Sequence, residues 1–193
     1  MPRWSAGAYD HGVLTGEKVH LRARRAEDVA VLHADLYDDV VTRARADSRP
    51  WRPWPAANDS PYTPSAPAGP GDPAIFTIVT RDGDEVAGEG LLWGIDLHSR
   101  VAHVGVSLRP AMRGRGLGGD TVRVLCRYGF VVRGFHRLQV DTLADNHAMI
   151  RAAQRIGFVP EGTMRRSAWV LGEFLDEVVL GLLAEEWQDT QDA

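Results

Sequence analysis

A single cysteine, Cys126, is the whole thiol content of this 193-residue chain, which excludes an internal disulfide and any scaffold stapled by one. It lies beside Leu125 and Tyr128 in a stretch that reads as helix, where a thiol packs as a small apolar side chain, and a cytoplasmic setting is expected. Long apolar runs are missing too. Nothing approaches the roughly 18 consecutive apolar residues of a membrane helix, and the opening MPRWSAGAYDHG has no signal-peptide core, so no membrane is expected among the partners. Basic charge is not in excess: 22 Lys and Arg against 26 Asp and Glu give a net charge of -4. That argues against nucleic acid and suits amine-bearing partners better. No His/Cys cluster has ligand spacing, so no metal is implied. What the chain does have is 44% apolar content, enough at this length for one sizeable core and one domain.

Residues 1–16 carry no period and read as an N-terminal extension, with a main domain over 17–187 and a short tail over 188–193. Lys18 to Ala23 alternates as a strand, and Glu27 to Asp39 places Val29, Leu32, Leu36 and Val40 at helical spacing. Between Arg49 and Pro73 stand eight of the eleven prolines together with Trp51, Trp54 and Tyr62, a composition that resists helix and sheet. Two readings stand for these aromatics in the 50–73 loop: they line an acceptor pocket, or they anchor a core. Ala74 to Thr80 and Glu85 to Asp96 flank a turn as a hairpin, followed by the strand Val101 to Leu108. A helix over Gly118 to Arg133 ends at Gly134 and leads into a strand over His136 to Thr142. Asp145 or Asn146 caps a helix that Gly157 terminates, and Val170 to Leu183 forms most of a closing hairpin around Gly172.

The most informative segment is Arg113-Gly114-Arg115-Gly116-Leu117-Gly118, lying between a strand and a helix. Glycines there let the backbone take positive φ and come close to a phosphate, while the amides and dipole of the next helix favour negative charge. It reads as a pyrophosphate cradle, although a glycine trio also serves as a plain turn. The letters GRGLGG at 114–119 with Asp141 further on also satisfy a dinucleotide fingerprint, which makes an NAD-dependent oxidoreductase a rival. That rival fits poorly. Five residues, Arg109 to Arg113, separate the strand from the first glycine, and the chain beyond the loop is too short for a doubly wound sheet. No GK[ST] motif is present there, which excludes an ordinary nucleotide triphosphate loop.

The order hairpin, strand, RxxGxG, helix, strand, then Asp145-Asn146 followed by Gly157-Phe158, resembles the GCN5-related N-acetyltransferases (GNAT). Glu161-Gly162, Arg165 and Gly172-Glu173-Phe174 with Asp176 make it most similar to the RimJ/RimL type. The resemblance implies an α/β (α+β) single-domain GNAT fold, with a mixed, mostly antiparallel twisted sheet, helices on both faces and a splayed central strand pair. It implies acetyl-coenzyme A as cosubstrate and a primary amine as acceptor, either a protein N-terminus or a small molecule, with a homodimer as the assembly. Carried over by position, Arg113, Gly114, Arg115, Gly116, Leu117, Gly118 and Gly119 hold the pyrophosphate, Val106, Ser107 and Leu108 supply a backbone N–H to the thioester carbonyl, and Asn146 meets the coenzyme. Asn146 is equally a helix cap.

Direct attack needs a neutral amine. A lysine-like amine with a pKa near 10.4 is neutral only about once in two to three thousand at pH 7, whereas an N-terminal amine near 7.7 to 8.0 is far easier to use. A base is therefore required, and Glu89, His103 and Glu161 are the candidates. His103 occupies the place where RimJ-like sequences often carry glutamate; each candidate also has a bland reading as an outward-facing strand residue. Asp141 binds substrate or caps its strand end. Trp51, Trp54 and Tyr62 complete the acceptor side. Relatives often place a tyrosine or a serine after the asparagine where this chain has Ala153 and Met149. Loss of those proton donors motivates a second class, an acyl-coenzyme-A-binding sensor or interaction module without turnover.

Overall fold

Seven strands form one sheet in the order β1-β2-β3-β4-β5-β7-β6. They are β1 (Val19–Arg22), β2 (Ala74–Thr80), β3 (Val86–Asp96), β4 (Val101–Leu108), β5 (Arg137–Leu143), β6 (Val159–Val170) and β7 (Glu173–Leu183). A computed structural model describes residues 14–47, 49–55, 60–66 and 69–189. The expectations for 1–13, 56–59, 67–68 and 190–193 lie outside the described residues. Every neighbouring pair is antiparallel except β4 and β5, which run parallel. One parallel pair in a mostly antiparallel sheet is not a doubly wound fold, so the dinucleotide reading loses its scaffold.

Period-two burial along the strands assigns two faces. Ile78, Leu92, Val104, Leu138, Val140, Leu180 and Leu182 are buried in the main core, each such side chain contributing about 1.5–3 kcal/mol by leaving water. Helices α3 (Leu117–Arg127) and α4 (His147–Ile156) cover that face. Cys126 is fully buried there, and burial pushes its thiol pKa up. On the opposite face α1 (Asp28–Leu32) and α2 (Val40–Ala46) close a smaller core of Leu32, Leu36, Tyr37 and Tyr62. Helices on both faces and a splayed central pair are as the resemblance implied.

Several boundaries differ from expectation, for local reasons. The helix expected over 27–39 is α1 followed by a π-helical turn at His33–Tyr37, and a new helix starts at Val40 because the Asp39 carboxylate caps it through the Thr42 amide at 3.0 Å. Helix α3 starts at Leu117, with Gly116 at φ 80° before it, and widens into a π turn over Tyr128–Val132. The packed unit is longer than 17–187. Leu14 packs on the core, and Arg127 bonds both the Thr15 carbonyl at 2.9 Å and Asp189 at 2.6 Å.

Candidate active site

The site begins where two strands part. β4 pairs with β5 only through Val101–Arg137, Ala102–Leu138 and His103–Gln139, while β4 itself runs on to Leu108. The Arg109 amide donates to the Ala87 carbonyl at 2.9 Å, and Ser107 lies opposite Glu89. The alternation of an antiparallel ladder therefore turns the odd-numbered amides of β4 toward β3, and those of Val106 and Leu108 toward β5. With no strand opposite them, these two amides face the gap. Ser107, expected to share this task, presents its amide to β3 instead.

At the open end of the gap lies the glycine loop. Gly114 and Gly116 adopt φ of 75° and 80°, conformations that cost other residues about 1–2 kcal/mol. The first recorded α-helical bond of α3 runs from the Asp120 amide to the Gly116 carbonyl at 3.4 Å, so the amides of Leu117, Gly118 and Gly119 precede it and have no helical partner. Arg113 ties the loop inward, with Nε on the Leu108 carbonyl at 3.1 Å and its other end on Thr42 Oγ1 of α2 at 3.2 Å. Arg115 reaches the Met112 sulfur at 3.1 Å. A cradle of free amides beside a splayed strand fits a diphosphate with an extended arm.

The three base candidates now separate. Glu89 is partly buried and bound to Arg24 at 2.5 Å. Glu161 is gripped at both oxygens by Arg137, and that guanidinium holds its carboxyl below the usual range. His103 is different. It is the last residue of β4 in register with β5, its Nδ1 lies 2.5 Å from Asp141 Oδ2, and Nε2 has no recorded partner among the described residues. Burial raises the Asp141 carboxyl, but hydrogen bonds from His103 and from Gln139 (2.8 Å) outweigh it and leave the pKa lowered. An ionised Asp141 accepts, so Nδ1–H is the donor of this bond, and in the neutral ring that tautomer puts the lone pair on Nε2. Trp93 stacks beside the ring at 4.5 Å between centroids, and Gly94 gives it room, since a Cβ there would lie 2.9 Å from His103 Cδ2.

The sequence profile described as an acetyltransferase (GNAT) domain matches residues 18–159 of the chain. The chain belongs to the GNAT acetyltransferases. This acetyltransferase is 26% identical over 171 residues to the uncharacterized N-acetyltransferase p20 of Bacillus licheniformis, covering 89% of this chain and 96% of that protein. Its fold is similar to that of the spermidine N-acetyltransferase from Vibrio cholerae, solved with CoA and spermine, at a TM-score of 0.72 and 16% identity, covering 87% and 96% of the two chains. It is also similar to RimL, the ribosomal L7/L12 alpha-N-protein acetyltransferase solved with coenzyme A, at a TM-score of 0.71 and 18% identity, covering 88% and 96%. It is an acyltransferase that depends on acetyl-coenzyme A.

The remaining expected residues of this acetyltransferase fall in varied places. Asn146 caps α4, accepting from the Met149 amide at 3.3 Å and donating to Thr142 Oγ1 at 2.9 Å. Tyr62, expected to stack on an acceptor, is only 3% exposed and packs inside the small core, where burial first and Glu89 second push its phenol up to about 12. Trp51 is held by its indole N–H on the Tyr37 carbonyl at 2.9 Å and shows 36% of its surface; Trp54 shows 44%. Lys18 and Trp93 went unnoticed in the sequence. Lys18 bonds the Arg115 carbonyl across 97 positions of sequence, and no local pattern announces such a contact. Among the described residues no group of three or more His, Cys, Asp or Glu could hold a metal, and no helix is long and apolar enough to cross a membrane.

Proposed function

We propose that this GNAT enzyme transfers acetyl from acetyl-coenzyme A directly to a primary amine in a ternary complex, with His103 as the base. The observation that carries the reading is the His103–Asp141 pair at the apex of the β4–β5 gap, on the same strand as the Val106 amide that faces that gap. His103 Nε2 takes the proton that the amine sheds as its nitrogen bonds to the thioester carbon. The Val106 amide meets the negative charge that grows on the carbonyl oxygen. Asp141 orients the ring and stabilises the imidazolium that forms. When the carbon–sulfur bond breaks, the thiolate leaves with the coenzyme, and its proton comes from solvent or from the imidazolium. Coenzyme phosphates rest on the amides of 114–119.

For the acceptor, a protein N-terminus is the better reading. His103 lies on the sheet face that carries α1 and α2, beside Trp93, which is 41% exposed. An open face of this kind admits the end of a chain, and an N-terminal amine places the lighter demand on a base. RimL supports it by fold alone; the spermidine enzyme keeps a small amine as the second arm of the test. Release of thiol from acetyl-coenzyme A is measured with short peptides bearing free N-termini, with the same peptides blocked, and with small polyamines. Peptide-dependent turnover abolished by blocking is expected. Turnover with polyamines alone moves the acceptor to a small molecule, and binding of coenzyme A without turnover for any amine leaves the sensor reading. The homodimer and a cytoplasmic setting belong to the same proposal. Exposed Trp169, Leu171 and Phe174 at the β6–β7 tip offer an apolar contact, and a monomer in sedimentation at tens of micromolar would remove it.

A further inference from the structure

Lys18 stands immediately before β1 and is remote in sequence from the coenzyme loop, yet its Nζ donates to the Arg115 carbonyl at 3.1 Å. The peptide joining Arg115 to Gly116 is trans, so its C=O and N–H point in opposite directions. A cation fixed on the carbonyl side therefore turns the Gly116 amide the other way, out of the loop. The ammonium also occupies the space of a side chain at residue 116, since a Cβ built there would lie 2.9 Å from Nζ.

A second contact closes the circuit. Asp120, in the first turn of α3, accepts from the amides of Glu17 (3.1 Å), Lys18 (2.7 Å) and Val19 (3.0 Å). Gly16 makes that approach possible, because a Cβ there would lie within 2.4 Å of the Asp120 carboxylate. The backbone leading into β1 is thus docked on the helix, and the Lys18 side chain it carries is docked on the loop that precedes the same helix. Glycines at positive φ flank Arg115 on both sides, so the two peptides between them are little hindered from rotating, and a contact on the Arg115 carbonyl is what fixes the second.

We propose that Lys18 is a positioning residue for the coenzyme, holding the Arg115–Gly116 peptide so that its amide faces the diphosphate, with Asp120 fixing the strand from which Lys18 reaches. The inference rests on the loop being the coenzyme site, and the wild-type protein tests that part by itself. The stereochemistry assigns Lys18 to phosphate recognition and not to acetyl transfer.

The experiment compares wild type, Lys18→Met and Lys18→Arg. Calorimetry with coenzyme A is expected to show affinity about tenfold weaker in K18M, the order of one lost charge-assisted hydrogen bond, and recovery to within about threefold in K18R. The ratio of kcat/KM for acetyl-coenzyme A over acetyl-pantetheine, which has no diphosphate, is expected to fall about tenfold in K18M, with the loss in KM. Equal losses for both thioesters, or a fall in kcat with affinity kept, would overturn the proposal, as would unchanged coenzyme affinity in K18M. Failure of the wild type to bind coenzyme A would instead remove the loop reading beneath it.

Discussion

At the scale of single residues, what separates three candidate bases is the company each keeps. Glu89 is tied into an ion pair with Arg24, and Glu161 faces the Arg137 guanidinium, which holds its carboxyl below the usual range. His103 faces a carboxylate on Nδ1, and its Nε2 has no recorded partner among the described residues. Replacing His103 with Ala should lower kcat about 10²- to 10⁴-fold, the usual contribution of a positioned base, with little change in KM for acetyl-coenzyme A. Asp141→Asn should lower kcat about ten- to a hundredfold by misorienting the ring. Glu161→Gln serves as the contrast and should leave kcat within about twofold. Steady-state rates at saturating cosubstrate decide, and wild-type turnover in H103A would move the base elsewhere. Asn146 poses a separate question, because its side chain already caps a helix. Asn146→Ser retains a capping oxygen, so the melting temperature should hold while Asn146→Ala loses about 1 kcal/mol. If the amide also touches the coenzyme, N146S will bind coenzyme A more weakly despite unchanged stability.

At the scale of elements, the glycine loop was readable because it rests on local rules, whereas the gap beside it followed only from the family resemblance. Positive φ at 114 and 116 demands glycine, and a Gly116→Val variant must bear about 1–2 kcal/mol of backbone strain and displace Lys18. Calorimetry on that variant should find no coenzyme A binding at concentrations that saturate wild type; retained binding would put the cradle elsewhere. Helix α4 was equally plain, with Asn146 before it and Gly157 at φ 113° after it. The first helical region was not. Val29, Leu32, Leu36 and Val40 keep helical spacing, but Asp39 captures the Thr42 amide and restarts the helix, leaving Val40 37% exposed at its first turn. Strand β6 hid for another reason: nearly all its residues are exposed, so no alternation marks it, and its pairing is visible only in the backbone of β7. The His103–Asp141 pair spans 38 residues and Lys18–Arg115 spans 97. Sequence could nominate His103 and Asp141 singly; only the parallel pairing of β4 with β5 joins them.

At the scale of the whole molecule, the sheet face that carries α1 and α2 is braced by a buried charge. Asp28 on α1 is 1% exposed and accepts from Arg22 of β1 at 2.6 and 2.8 Å, from the Arg25 amide at 2.8 Å and from Thr77 of β2 at 3.0 Å. Burial alone would raise its carboxyl, but these donors outweigh it and hold the pKa at about 2 against an ordinary 3.8. A depressed folded pKa means that the unfolded chain takes up the proton first as acid is added. The stabilisation is therefore complete above about pH 4 and is lost as pH falls through about 2, amounting to about 2 kcal/mol. Asp28→Asn keeps the shape but not the charge, so it should unfold at lower urea concentration than wild type at pH 7. As pH falls toward 2 the two proteins should converge, because protonated Asp28 is then as neutral as the amide. Urea midpoints measured between pH 2 and 7 test this, and a gap that stays constant with pH would mean that packing, not charge, joins α1 to the sheet.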